Sequence, residues 1–402
     1  MSLSRKRLSF LGKTALVGVG LTALAKVSGR SVMSLATEAC RTAAEDAGLP
    51  LGEIDGVLSF NFNNDSVSSQ SVATALALPE PRYLLDVSLG GQAPAFLVMQ
   101  AAAAIESGMA KNVLIFRALN GRSGQRVGSS RASGLAPNFR YPYGFTAYPQ
   151  FIAMWARRFL IETGGSELDL GAVAVAQRAW AANNERAMRR TPLTIEQYLE
   201  SPMVADPFRA ADCTTEADGA CAVLVTSRER ALDLKQDPVV IEGAAYGTRK
   251  RSGLDAGDAL LWPDMTRNYT SIIAEELWRS ADMAPADVDM AQLYDCFSSS
   301  VLLAMEGLGL AGRGEAADMI RAGHTSPGGR LPINTNGGLL AEGYLHGMNT
   351  LAEAVYQMQG RAGTRTVHGA RTCVVTSGAL TDGSALVLSR EARANHDYLN
   401  LG

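Results

Sequence analysis

Short β-branched apolar runs alternate along the chain with alanine-rich stretches whose apolar residues recur every three or four positions. This is the pattern of strands covered by amphipathic helices. The first run, Thr14-Ala15-Leu16-Val17-Gly18-Val19-Gly20, predicts a buried strand ending in glycine. Ser31 then precedes Val32, Leu35, Ala36, Ala39, Cys40, Ala43 and Ala47, whose spacing predicts a helix entered at the serine. Continued alternation of this kind predicts an α/β protein with helices packed on mostly parallel strands.

The pattern is written twice. Gly48-Leu49-Pro50-Leu51-Gly52-Glu53-Ile54-Asp55 aligns without gaps on Asp282-Met283-Ala284-Pro285-Ala286-Asp287-Val288-Asp289, an offset of 288 − 54 = 234. Asp218-Gly219-Ala220-Cys221-Ala222-Val223-Leu224 likewise recurs as Asp382-Gly383-Ser384-Ala385-Leu386-Val387-Leu388, each a turn leading into a buried strand. Two helices, from near Gly91 to Gly108 and from near Gly343 to Gly360, have the same length between glycines. Self-similarity of this kind predicts two homologous halves, residues 14–236 and 237–402, meeting near Lys235 to Val239. Residues 121–200 have no counterpart of similar length and are expected as an inserted loop subdomain. Its stretch Arg140-Tyr141-Pro142-Tyr143-Gly144-Phe145-Thr146-Ala147-Tyr148-Pro149 mixes aromatics with turn residues, and suits either a wall for a bound molecule or a plug filling its own small core.

Composition narrows the function. A chain of 402 residues has room for a large core, and 47% hydrophobic with 19% charged residues excludes a disordered chain. The net charge of 37 − 40 = −3 leaves no basic field for a nucleic-acid backbone. Cys40, Cys213, Cys221, Cys296 and Cys373 form no CxxC, and His324, His346, His368 and His396 show no ligand spacing, so reduced thiols and no metal site are expected. The amino-terminal Ser4-Arg5-Lys6-Arg7-Leu8-Ser9-Phe10-Leu11 followed by apolar residues to Ala25 has the form of a twin-arginine or secretory leader as well as of a strand. The strand is the preferred reading, because removing it would take an element from a sheet whose duplicate appears later, and a cytoplasmic protein is expected.

Three stretches carry a family resemblance: Ala211-Asp212-Cys213 with Asp218-Gly219-Ala220, Tyr294-Asp295-Cys296-Phe297-Ser298, and Leu331-Pro332-Ile333-Asn334-Thr335-Asn336-Gly337-Gly338-Leu339-Leu340-Ala341-Glu342-Gly343-Tyr344. With the duplicated halves, they resemble the thiolase superfamily from Thr14 to Arg390, closest to its sterol-carrier-protein-linked or lipid-transfer branch. The resemblance implies a five-layer αβαβα fold and a homodimer formed through the strand near Val113 to Arg117. The departures are informative. The family's nucleophilic cysteine falls on Gly91, and the histidine of its Gly-His-Pro motif falls on Tyr344. Its second, proton-shuttling cysteine belongs near Gly378 or Ala379, where none stands; Cys373 lies too early and is expected buried in a strand. The histidine that sterol-carrier-type relatives place before Asp-Cys-Phe falls on Tyr294.

Two tyrosines for two histidines, with the nucleophile gone, resemble the thiolase-like aldolases of bacterial steroid side-chain catabolism. The implied activity is retro-aldol cleavage of a bulky β-hydroxyacyl-CoA, a 17-hydroxy steroid side-chain thioester, to a 17-ketosteroid and propionyl-CoA. A base takes the hydroxyl proton and an acid returns a proton to the thioester enolate, so no covalent acyl-enzyme is required. Tyr344 and Tyr294 are the candidate pair, with phenolate at Tyr344 expected to be favoured by the start of the following helix. A divergent acyl-CoA thiolase using Cys296, and a non-catalytic CoA-thioester-binding subunit of a hetero-oligomer, are the rival readings.

Supporting roles are assigned more widely. Asp295 either orients a tyrosine or caps the helix beginning near Phe297. His346 enters the site or points away from it, and Cys296 is read as a small buried residue. Gly337 and Gly338 are expected to let backbone approach the thioester. Arg249, Lys250 and Arg251 are candidate contacts for the CoA phosphates, against the alternative of a solvated loop. CoA belongs to the substrate, so no separate cofactor is expected. The resembled aldolases act with an OB-fold, zinc-ribbon partner, which implies a hetero-oligomer.

Overall fold

The computed structural model describes residues 7–124, 126, 135–249 and 262–391. From the amino end the chain forms β1 (Thr14–Leu21), α1 (Val32–Ala47), β2 (Gly56–Asn61), α2 (Ser69–Ala75), β3 (Tyr83–Ser88), α3 (Ala93–Glu106) and β4 (Asn112–Asn120). An excursion follows through α4 (Leu135–Arg140), α5 (Tyr148–Thr163), α6 (Glu167–Ala181), α7 (Ile195–Glu200) and the ribbon of β5 (Met203–Ala205) and β6 (Phe208–Arg209). The chain returns in β7 (Asp218–Ser227) and α8 (Arg228–Leu232). It continues through β8 (Val239–Thr248), α9 (Thr270–Ala281), β9 (Met290–Gln292), α10 (Ser298–Leu308), α11 (Ala316–Arg321), α12 (Gly338–Ala341), α13 (Met348–Met358), β10 (Thr372–Ser377) and β11 (Asp382–Arg390).

Nine of the described strands join in the order β3-β2-β4-β7-β1-β8-β11-β10-β9. Outward from the junction of β1 with β8, each side takes two antiparallel steps and then a parallel one: β1, β7, β4, β2 on one side and β8, β11, β10, β9 on the other. The sequence repeat is therefore also a repeat in strand pairing. The aligned segments behave alike, Leu51–Glu53 and Pro285–Asp287 each making one 3-10 turn ahead of a strand. Ser31 accepts a hydrogen bond from the Ser34 amide at the start of α1, as its side chain suits it to do.

Burial sorts the helices into layers. The central pair α3 and α13 supplies Leu97, Val98, Leu351 and Val355 to one cluster with Ile115, Val223, Val375 and Leu386 from both sides of the sheet. Outside, α1 packs Leu35, Ala39 and Ala43 against Val57 and Leu114, while α9 and α10 pack Leu277 and Leu302 against Val374 and Val387. The sheet is continuous, and its two halves enclose α3 and α13, with α1 outside one half and α9 and α10 outside the other, which gives the five-layer order expected. Among the described residues no helix is long and apolar enough to cross a membrane.

Three expectations need correction. Of the eight pairings in the nine-stranded sheet five are antiparallel and three parallel, so the strands are not mostly parallel. Val113 to Arg117 lies inside the sheet, paired through β4 with β2 and β7, so it has no free edge for a partner. Among the described residues the sheet ends at β3 on one side and at β9 on the other; β3 pairs with β2 alone and alternates half-buried with exposed residues. The excursion after β4 is largely helical where it is described, and it builds no core of its own. Trp155, Phe159, Leu170 and Val173 of α5 and α6 share a cluster with Leu303, Ile320 and Leu331 from later in the chain. Of its aromatic stretch, Phe145 and Tyr148 gather on Phe151 beneath Arg140, while Tyr143 is exposed.

Candidate active site

Tyr294 follows β9 by two residues and leaves the sheet at a strand's carboxyl end, where open α/β sheets place their sites. Its backbone is clamped. The Tyr294 amide donates to Thr376 Oγ1 at 2.8 Å, and the adjacent Leu293 amide donates to Asn334 Oδ1 at 2.7 Å, with Asn334 Nδ2 donating back to the Leu293 carbonyl at 2.9 Å. Tyr344 arrives from the other direction, in the turn between α12 and α13. Its amide donates to the Thr215 carbonyl at 2.8 Å, and Thr215 Oγ1 donates to the Leu340 carbonyl at 2.7 Å. The two phenolic oxygens meet at 2.9 Å.

The Tyr294 ring lies between the approaches to the two central helices. A Cβ built on Gly91, two residues before α3, would stand 2.0 Å from both Cζ and the phenolic oxygen of Tyr294. A Cβ on Gly347, the N-cap of α13, would stand 3.0 Å from Cδ2 of the same ring. No side chain at position 91 fits beside this tyrosine without displacing it.

Both phenols are buried, at 3% exposure for Tyr294 and 8% for Tyr344. Burial pushes each above the ordinary phenol value, and the neighbouring phenol and the Cys296 thiol add to the rise at Tyr294. This corrects the expected phenolate at Tyr344: the pair is neutral at physiological pH. The charge of an ionised Tyr148, at the head of α5, would further disfavour ionisation of both.

The sequence candidates separate on inspection. Asp295 orients neither tyrosine and does not cap α10; its carboxylate accepts from the Leu339 amide at 2.9 Å and the Leu340 amide at 3.3 Å, capping α12 instead. Burial pushes it up to about 8. Gly337 and Gly338 make close approaches, but to the protein itself: Cβ atoms there would meet Ala181 Cβ at 2.6 Å and Asp295 Oδ2 at 2.1 Å. Cys296 is buried, its Sγ 3.5 Å from Ser300 Oγ, and burial pushes its thiol up to about 12. Cys373 is buried in β10, and burial raises its thiol as well. Arg249 lies with its guanidinium 5.3 Å above the Trp262 ring. Lys250 and Arg251 lie outside the described residues.

His346 is in the site, with its ring 4.5 Å from that of Tyr344. Sequence reasoning misses its partner Arg117 and the Asp65 carboxylate that pairs with Arg117. Arg117 is the one charged residue of β4, and a lone cation inside an apolar strand was a legible signal. Asp65 had no signal, because nothing local in the loop after β2 distinguishes it. Glu342 was also missed. Its buried carboxylate, two residues before Tyr344, gathers Asn184, Arg186, Asn336 and Asn349.

Comparison with known proteins places the chain among relatives. A family model for the thiolase C-terminal domain-like family matches residues 255–390. A 17-hydroxy-3-oxo-4-pregnene-20-carboxyl-CoA lyase of Mycobacterium tuberculosis is 40% identical over 395 residues, covering 94% of this chain and 99% of the relative. A steroid side-chain-cleaving aldolase of Thermomonospora curvata is 37% identical over 398 residues, 94% of this chain and 98% of the relative. The solved structure of an Ltp2-ChsH2(DUF35) aldolase superposes with a TM-score of 0.89 and 36% identity, over 96% of this chain and 100% of that one.

Proposed function

The chain belongs to the thiolase superfamily, and from that premise we propose that it is a carbon–carbon lyase cleaving a 17-hydroxy steroid side chain carried as a CoA thioester. The observation that carries this reading is the hydrogen-bonded pair of Tyr294 and Tyr344, with Tyr294 filling the space beside Gly91. Acyl transfer needs a nucleophile there; a retro-aldol reaction needs only a path for one proton and a stabilised enolate.

The name of the Mycobacterium tuberculosis relative supplies the substrate chemistry. A 17-hydroxyl is β to the thioester carbonyl of a pregnene-20-carboxyl-CoA. Loss of its proton lets the C17–C20 bond break, leaving a ketone at C17 and placing the bonding pair in the thioester enolate. Protonation at C20 then gives propionyl-CoA. Both phenols are neutral, so the pair works as a relay. Tyr344 accepts the hydroxyl proton while passing its own to Tyr294, and Tyr294 delivers a proton to C20. Protons balance, and neither phenolate accumulates. CoA enters and leaves as part of substrate and product.

The assembly is part of the proposal. The open, partly apolar edge of β3 suits pairing with a second copy. The solved relative couples its aldolase to a DUF35 chain, and we carry over a hetero-oligomer with an OB-fold, zinc-ribbon partner of that kind. Free thiols at all five cysteines suit the reducing cytoplasm. The test is incubation of the protein, with a DUF35 partner present, with 17-hydroxy-3-oxo-4-pregnene-20-carboxyl-CoA. Equal amounts of the 17-ketone and propionyl-CoA are expected; intact thioester after prolonged incubation contradicts the reading.

A further inference from the structure

Arg117 is fully buried, and its guanidinium is committed on every side. It forms an ion pair with Asp65, itself buried, and donates to the Phe60 carbonyl at 2.9 Å. Its Nε and Nη2 both reach His346 Nδ1, at 3.2 and 3.0 Å. A guanidinium can only donate. Nδ1 is therefore the unprotonated, accepting nitrogen of the imidazole, and the proton of the neutral ring sits on Nε2. Burial and the Arg117 charge both hold the ring neutral, well below the usual histidine range.

Three further observations give this arrangement a direction. Among the described residues, Nε2 has no hydrogen-bond partner in the protein, although His346 is only 1% exposed. The imidazole stands beside Tyr344, their rings tilted by 44°. The residue is also held at φ 52°, a left-handed conformation that costs a non-glycine residue and persists where the surroundings enforce it. Apolar side chains would fill this space without burying an ion pair.

We propose that His346 Nε2–H is the hydrogen-bond donor to the thioester oxygen as the enolate forms, and that Arg117 and Asp65 are positioning residues that fix its tautomer and aim. The inference rests on the aldolase reading and deepens it. The tyrosines move the proton, and His346 receives the electron pair's charge on oxygen without giving up its own proton. A neutral imidazole donor suits an enolate oxygen, since the hydrogen bond strengthens as negative charge develops.

The test is steady-state cleavage of 17-hydroxy-3-oxo-4-pregnene-20-carboxyl-CoA by the protein with its DUF35 partner, comparing wild type, His346→Phe and His346→Gln. Loss of an oxyanion donor lowers kcat by roughly 10²–10³-fold. His346→Phe should show that loss with KM little changed, and His346→Gln, which restores an N–H near the Nε2 position, should recover about tenfold of it. Nitrogen-15 NMR of the wild-type imidazole should show a neutral ring protonated at Nε2 throughout the working pH range. That measurement needs no variant to fold. A folded His346→Phe protein with wild-type kcat overturns the inference while leaving the aldolase reading intact, and so does a ring protonated at Nδ1. A wild type that leaves the thioester uncleaved overturns the aldolase reading and this inference with it.

Discussion

The phenolic oxygen of Tyr294 occupies the space that a side chain on Gly91 would need, 2.0 Å from where its Cβ would stand. The side-chain space at position 91 and the phenol of Tyr294 are therefore one volume, filled from the segment after β9 rather than from the start of α3. Glycine at 91 and tyrosine at 294 are a matched pair: a larger residue at 91 makes a clash, and a smaller one at 294 leaves a gap.

Gly91→Ala should lower both stability and activity. The added methyl must displace the Tyr294 ring, and overpacking of this kind costs about 1–3 kcal/mol. In a Tyr294→Ala background the same substitution should cost far less, because the clash has gone. Thermal unfolding of the two single variants and the double variant measures the coupling. Additive effects would contradict the shared volume.

No covalent acyl-enzyme should form. Gly91 offers no nucleophile, and burial raises the thiols of Cys40, Cys221, Cys296 and Cys373, which leaves little reactive thiolate. Intact-protein mass spectrometry after mixing with acyl-CoA should show the unmodified chain. A stoichiometric adduct that maps to Cys296 would restore the acyl-transfer alternative.

Much of this was legible in the sequence where local pattern and internal repetition agreed. The strand at Thr14, the helix entered at Ser31, the Asp-Gly turns into β7 and β11, and the tyrosines at 294 and 344 all announced themselves. Properties set by distant packing did not. Asp295 has the local context of a cap for α10, but the fold brings α12 onto its carboxylate. Val113 to Arg117 reads as an apolar strand equally at an edge or in the middle, and only the pairing of β4 on both sides decides. The network of Asp65, Arg117 and His346 spans hundreds of residues of sequence, so its parts look unrelated until the sheet is assembled. The phenolate expected at Tyr344 does not form, because burial outweighs the electrostatics of the helix end.

Stability should fall with rising pH through the titration of Asp295. Burial places this carboxyl at about 8 in the folded protein, against about 3.9 unfolded. The folded state holds a proton that the unfolded chain releases, so the group's contribution is complete below about pH 4 and lost as pH rises through about 8. Melting temperatures of wild type and Asp295→Asn between about pH 6 and 9 should differ in slope, the wild type falling more steeply. Parallel curves would show that Asp295 is ionised in the folded protein.

The open edge of β3 should carry the homodimer. Leu84, 38% exposed on that edge, faces the proposed partner, and an edge lysine opposes strand addition. Light scattering at micromolar concentration should give twice the chain mass for wild type and a lower mass for Leu84→Lys. A monomeric wild type contradicts the proposed assembly.

The tyrosine relay is tested most directly by cleavage of 17-hydroxy-3-oxo-4-pregnene-20-carboxyl-CoA by Tyr294→Phe and Tyr344→Phe, each with its fold checked by circular dichroism. Each substitution removes one hydroxyl and breaks the 2.9 Å contact between the phenols. Because the relay needs both oxygens, kcat should fall roughly 10²–10⁴-fold in either variant, the range for a lost acid–base group. If either folded variant releases propionyl-CoA within about threefold of the wild-type rate, well short of that range, the relay does not carry the reaction.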